Sequence, residues 1–279
     1  MTSMIDRDAV PQYAEIDGLG IRYVSTDKAQ GQPILLTSPW PESVFAFHGI
    51  WSVLAEVAPL IAVDLPGFGQ SEGRPDALTP PAMGAFITKV TKHFSLERPH
   101  VVGPDIGTSA LLYAAAADSD AFSSLVIGSG AIDEQLTAGA LKDMIEAPTT
   151  EAFEDNDGAD IVSQIIDGLM QTTPPDDVMR DYRESYSADR FVQSMAYVRD
   201  YPQSLPRLRD LLPTITTPVQ IIYGVNDPVV LPANAHLLDR QLPHSASVGL
   251  NCGHFTWEDK SEKYGAAVRE WIDGGFHAV

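Results

Sequence analysis

The chain has 279 residues, 44% of them hydrophobic, and 18 basic against 38 acidic side chains give a net charge of −20. That length and composition support a large folded core and exclude general disorder, while the acidic excess opposes phosphate backbones and anionic membranes, so neither nucleic acid nor membrane is expected as a partner. A single cysteine, Cys252, rules out an intramolecular disulfide and leaves no Cys/His spacing for a structural metal.

The chain begins Met1-Thr-Ser-Met-Ile-Asp-Arg-Asp, with no basic stretch leading into an apolar one, and later contains no apolar run of about 18 residues. The expectation is a cytoplasmic protein. From there, short apolar and β-branched runs recur in chain order: Ile21–Val24, Pro33–Thr37, Leu60–Asp64, His100–Gly103, Leu125–Gly128, Val219–Tyr223 and Ser247–Leu250. Several are continuous, as strands buried on both faces should be. Helical stretches lie between them at Ser43–Val57, Pro81–Phe94, Ser109–Ala117 and Lys260–Ile272. The alternation predicts an α/β protein with a mostly parallel sheet.

Between about Ile132 and Pro213 strand signals stop, and helical pieces are broken by Pro148, Pro174-Pro175, Pro202 and Pro206. Strand character returns at Thr217-Pro-Val-Gln-Ile-Ile-Tyr. The reading is one sheet domain in two parts, residues 1–131 and 214–279, interrupted by a helical insertion at 132–213.

Three segments carry chemistry. In His100-Val-Val-Gly-Pro-Asp-Ile-Gly-Thr-Ser, Gly103 and Gly107 bracket Asp105 where a strand passes into a helix. Such a G-x-D-x-G turn needs glycines because the backbone is sharply bent and its neighbours are close, and a helix N-terminus favours an anion. An aspartate there could also be an ordinary helix cap. Asp227 lies in the turn Gly-Val-Asn-Asp-Pro after a later strand, and His254 in the loop Asn-Cys-Gly-His-Phe after the last. Taken singly each is unremarkable, but their order is nucleophile, acid, histidine, and strand ends would bring all three to one edge of the sheet. Asp133 is a rival for the acid position; Cys252, His48 and His93 read as ordinary packing residues.

Over nearly its whole length the sequence resembles the α/β-hydrolase superfamily, with Asp64-Leu-Pro-Gly-Phe-Gly-Gln-Ser similar to the loop after an early strand there. An aspartate at the elbow resembles epoxide hydrolases first and haloalkane dehalogenases second. The resemblance implies an α/β-hydrolase fold with the insertion as a cap, no cofactor and no metal. It also implies an alkyl ester on Asp105, hydrolysed by water that His254 activates with Asp227 behind it. Leu36-Thr-Ser-Pro-Trp-Pro-Glu-Ser is similar to the epoxide hydrolases' H-G-x-P stretch, with Ser38-Pro39 in place of His-Gly. By that likeness the N–H groups of Trp40 and Ile106 form the oxyanion hole.

Ile106 stands where dehalogenases carry a halide-binding Trp or an Arg, which favours an epoxide. Epoxide hydrolases polarise the ring with cap tyrosines; Tyr182, Tyr186, Tyr197 and Tyr201 are available, with Tyr186, Tyr197 and Trp40 named as substrate-binding residues, although Tyr197 is one position out of the family's register. The expected partner is a small apolar epoxide, with a homodimer left open. Alternatives are a dehalogenase, a lactone or ester hydrolase in which Asp105 serves as base, or a ligand-binding homologue without turnover.

Overall fold

The computed structural model describes residues 10–26 and 31–279. The opening octapeptide read for a targeting signal lies outside those residues. Eight strands form one sheet: β1 (Gln12–Ile16), β2 (Leu19–Ser25), β3 (Ile34–Thr37), β4 (Leu60–Val63), β5 (His100–Val102), β6 (Ser124–Ile127), β7 (Val219–Gly224) and β8 (Ser245–Leu250), in the order β1-β2-β4-β3-β5-β6-β7-β8. The β1–β2 and β2–β4 pairings are antiparallel and the rest parallel. Every residue of β3, β5 and β6 is buried, which is why their sequences run apolar without alternation.

On the first half of the chain, α1 (Trp51–Ala55) and α2 (Pro80–His93) flank the sheet, and α3 (Ile106–Ala117) follows β5. The central helix α3 is buried at every position from Ile106 to Leu112, as a helix without a polar face must be. The predicted helix over Ser43–Val57 is two pieces, a 3₁₀ turn at Val44–Phe47 and then α1. Gly49 separates them. A β-carbon at Gly49 would stand 2.6 Å from that of Ser261, so the final helix crosses here at backbone distance.

Between β6 and β7 the chain is helical: α4 (Gly139–Glu146), α5 (Glu151–Glu154), α6 (Gly158–Leu169), α7 (Asp176–Ser185), α8 (Arg190–Ser194), α9 (Ala196–Arg199) and α10 (Tyr201–Leu211). After β7 come α11 (Ala233–Gln241), then β8, α12 (Thr256–Asp259) and α13 (Ser261–Ile272). Among the described residues no helix is long and apolar enough to cross a membrane.

A buried charge network ties the helices between β6 and β7 to the sheet. Arg22 on β2 bonds Asp64, at the end of β4, through Nε at 2.6 Å, and Asp181 on α7 through Nη1 at 2.7 Å. The Asp64 carboxylate also accepts the N–H groups of Val44 and Gln70. Burial works against the charge on Arg22, but the two carboxylates raise its pKa well above the usual guanidinium range. Each charge therefore has a partner, the condition under which buried ions persist.

Candidate active site

The parallel strands β3, β5, β7 and β8 end on one edge of the sheet, and the loops beyond them carry the four segments singled out in the sequence. After β5 the backbone turns so sharply that Asp105 has φ 54° and ψ −121°, a region that residues with a side chain enter at a cost of about 1–3 kcal/mol. Its two glycine neighbours permit the turn. A β-carbon on Gly103 would lie 2.5 Å from Leu111 and 2.6 Å from Thr37, and one on Gly107 would lie 2.7 Å from Thr37. On the far side, one on Gly130 would lie 2.4 Å from the Asp105 carbonyl oxygen. The Asp105 N–H is donated to the Gly128 carbonyl at 2.9 Å, which pins the elbow to β6.

The carboxylate of Asp105 is buried and faces two different groups. Its Oδ2 accepts the Trp40 N–H at 2.8 Å. The other oxygen, Oδ1, stands 3.6 Å from His254 Nε2, an ion-pair distance too long for a hydrogen bond. His254 Nδ1 lies 2.7 Å from Asp227 Oδ2, and Asp227 is itself held by Val229 and Val230, whose N–H groups both donate to its Oδ1 at 2.9 Å. Asp105, His254 and Asp227 are thus brought together in the arrangement expected from their order. Asp133 is instead 3.0 Å from Arg209 and caps a short 3₁₀ turn.

Burial by itself lowers the pKa of His254; the adjacent Asp227 charge, then Asp105, overcome this and hold it up at about 10. At neutral pH the ring is an imidazolium between two carboxylates. Loss of the Asp105 charge would remove part of that support.

Ile106 is the first residue of α3, where an N–H has no intrahelical acceptor. The Trp40 N–H, given to Asp105 Oδ2, is the other N–H expected at this site. Where Ser38-Pro39 departs from the expected pattern, the Ser38 N–H continues the sheet to the Val63 carbonyl at 3.0 Å, and the buried Ser38 hydroxyl has no partner.

Three of the four tyrosine hydroxyls meet other groups of the protein. Tyr197 is buried, and its hydroxyl lies 2.9 Å both from the Ile106 carbonyl, to which it donates, and from Ser109 Oγ. Its proton is therefore spent on α3 rather than offered toward Asp105. Tyr186 accepts the Gly69 N–H at 3.1 Å, and Tyr182 donates to Glu258 at 2.6 Å. A helix register cannot be read to the nearest residue from sequence, and one step is about 100°. The Trp40 indole donates to Ser194 at 2.8 Å and stacks on Phe191, with ring centroids 5.1 Å apart, so it forms a wall between the sheet and α8.

Two acids escaped the sequence reading. Glu42, one residue past Pro41, is fully buried, and both its oxygens accept the Trp257 indole N–H, at 3.2 and 3.0 Å. Glu258, four residues after His254 and next in sequence to Trp257, is buried and accepts the Tyr182 hydroxyl at 2.6 Å. Burial, then the Glu258 charge, push Glu42 well above the usual carboxyl range, with the Asp105 charge adding to the rise; burial raises Glu258 to about 8. The i, i+4 spacing of His254 and Glu258 was the one available signal.

Among the described residues no cluster of three or more His, Cys, Asp or Glu side chains is arranged to hold a metal ion.

A family model described as alpha/beta hydrolase fold matches residues 32–261. The soluble epoxide hydrolase of Corynebacterium sp. (strain C12) is 30% identical over 114 residues, which cover 41% of this chain and 39% of that protein. The match thus spans about two fifths of that relative's length. Among solved structures, a haloalkane dehalogenase from Bradyrhizobium elkani USDA94 superposes with a TM-score of 0.82 at 21% identity, covering 97% of this chain and 99% of that one. An epoxide hydrolase solved without ligand gives 0.78 at 19% identity, covering 95% and 98%. At such identities the structural likeness establishes the fold.

Proposed function

The chain belongs to the α/β-hydrolase fold family, and from that premise we propose that it is an epoxide hydrolase working through an ester on Asp105. The carrying observation is the two-sided setting of one carboxylate: Asp105 Oδ2 rests on the Trp40 N–H at 2.8 Å while Oδ1 faces His254 at 3.6 Å. An oxygen attack on an sp³ ring carbon needs a carboxylate, and the ester so formed has its carbonyl oxygen already in a donor site. The match to a curated soluble epoxide hydrolase supports the same reading.

In the first step an Asp105 oxygen bonds a ring carbon, the ring C–O bond breaks, and the freed oxygen takes the proton that the His254 imidazolium gives up. Esterification removes the Asp105 charge, so the pKa of His254 falls from its resting value of about 10 and the ring becomes able to act as base. Water then adds to the ester carbonyl carbon, giving its proton to Nε2, while the Trp40 and Ile106 N–H groups hold the oxyanion. In this reading the helices of 132–213 are the cap over the site, and its aromatic wall, Trp40 on Phe191, suits a small apolar epoxide. Halide binding is disfavoured because the nearby indole N–H groups are committed, Trp40 to Ser194 and Trp257 to Glu42.

The test is incubation of a His254→Gln variant with aryl and alkyl epoxides, read by intact-protein mass spectrometry. An adduct of the epoxide's mass, abolished by Asp105→Asn, is expected. Normal turnover by His254→Gln would sink the proposal.

A further inference from the structure

Both steps proposed for His254 depend on where its ring stands relative to Asp105. Asp227 holds Nδ1 at 2.7 Å, while Nε2, the working nitrogen, stands 3.6 Å from Asp105 Oδ1. The body of the ring is held by two aromatic neighbours. Phe255 lies edge-to-face at 5.2 Å and Trp257 at 6.0 Å between centroids, and these two meet each other at 5.8 Å, so the three rings brace one another. Trp257 is fully buried, and its indole N–H is accepted by Glu42, at 3.2 and 3.0 Å from the two carboxyl oxygens. Glu42 in turn lies two residues past Trp40, whose N–H holds Asp105 Oδ2 at 2.8 Å. Resting on the reading of Asp105 and His254 given above, we propose that Glu42 is a positioning residue, which fixes the Trp257 indole, and through it the His254 ring, against the loop that holds Asp105.

The contacts close a circuit. It runs from Asp105 to the Trp40 N–H, along the loop to Glu42, across to Trp257, edge-to-face to His254 and back to Asp105. With four residues, α12 is too short to hold its shape by its own hydrogen bonds, so its bearing is set by what its side chains meet. Glu258 accepts the Tyr182 hydroxyl, and Asp259 accepts the N–H groups of Gln171 and Thr172. Of the three anchored side chains, Trp257 is the one that packs on the His254 ring. The Glu42 end is itself secured, its backbone N–H donating to the Pro39 carbonyl at 3.2 Å. A buried indole N–H deprived of its acceptor is costly and turns toward another, and a turn of Trp257 swings the imidazole packed on it. A carboxyl that never touches substrate thus bears on the rate, because a reacting group displaced by about 1 Å can lose on the order of 100-fold.

Four variants separate positioning from general support. Glu42→Leu removes the acceptor; Trp257→Phe removes the N–H and keeps an aromatic ring; Glu42→Gln keeps a side-chain oxygen for the indole; and Glu42→Leu combined with Trp257→Phe closes a double-mutant cycle. In single turnovers with an epoxide, ester hydrolysis is expected to slow roughly 10- to 100-fold in either of the first two. The double variant should be no slower, and Glu42→Gln should recover most of the loss, with half-saturation by the epoxide little changed throughout. Losses that multiply in the double variant would show that Glu42 acts through another group. A Glu42→Gln protein as slow as Glu42→Leu, or a folded Trp257→Phe protein with the wild-type rate, would equally overturn the proposal. If Glu42→Leu does not fold, Trp257→Phe and Glu42→Gln still give opposite expected results.

A second readout needs no substrate. In proton and nitrogen-15 NMR the Trp257 indole N–H should exchange slowly with water in the wild type and in Glu42→Gln, and fast in Glu42→Leu or Glu42→Ala, with the cross-peaks between the Trp257 and His254 rings lost. Slow exchange and intact cross-peaks without a side-chain acceptor at residue 42 would overturn the proposal. If the wild type forms no ester with any epoxide, the reading of Asp105 fails, while this readout still decides whether Glu42 holds the His254 ring.

Discussion

Asp105, His254 and Asp227 were legible because each follows a strand at a glycine-marked turn, and parallel strands carry such turns to one edge. The tyrosines were not, since a hydroxyl's partner depends on helix rotation that sequence does not specify. Tyr197 donates to Ile106 O beside Asp105, so Tyr197→Phe should leave a buried carbonyl and Ser109 short of a partner. The expected cost is about 1–2 kcal/mol of stability, read by urea denaturation, with ester formation retained. Abolition of ester formation in a folded Tyr197→Phe protein would instead assign that hydroxyl to the chemistry. Glu42 and Glu258 were invisible for a different reason: two acids far apart in sequence read as surface charge until the fold buries them together.

Among the elements, continuous apolar runs gave seven of the eight strands in position, whereas β1 was missed. Its sequence, Gln-Tyr-Ala-Glu-Ile, is mostly exposed and only Ile16 is buried. The signal that could have found it is the Asp17-Gly18 turn, with φ 55° and 76°, which joins it to β2 as a hairpin. Close backbone approaches make sharp tests. Gly128, at φ 143°, has the Ile222 carbonyl oxygen 1.8 Å from where a β-carbon would stand, so Gly128→Ala should disrupt the β6–β7 pairing and fail to give soluble, cooperatively unfolding protein. A Gly128→Ala protein as stable as wild type would contradict the described packing. Arg22, conspicuous in no motif, is the bond between β2, β4 and α7. Replacing it by Met leaves Asp64 buried and without its charge partner, and an expected loss of about 3–5 kcal/mol is measurable by thermal or urea unfolding; a loss below about 1 kcal/mol would show the network to be dispensable.

Across the whole molecule the acidic excess, −20 in all, concerns partners and solubility, while the buried ionisable groups govern the response to pH. His254 has a folded pKa of about 10 against an ordinary 6.5, and Glu258 about 8 against 4.5. Both are raised, so folding takes up protons. The stability each contributes is complete below its unfolded value and is lost as pH climbs through its folded one. Glu258 should therefore contribute a fall in stability from about pH 5 to pH 8, and His254 a further fall toward pH 10, against the opposite slope of His48 and His100, whose pKa values are lowered by burial. Urea midpoints measured across this range check it, and Glu258→Gln should flatten the first portion. A Glu258→Gln protein whose stability changes between pH 5 and 8 as the wild type's does would contradict the described burial of Glu258.

The central claim is that Asp105 carries the substrate as an ester, and a single turnover in water enriched in heavy oxygen, with enzyme in excess over an epoxide, tests it most directly. If water adds to the Asp105 side-chain carbon, as proposed, the label enters the peptide containing Asp105 and not the first diol released. Label in that diol, with Asp105 unlabelled, would mean that water attacks the ring directly and that Asp105 is a base.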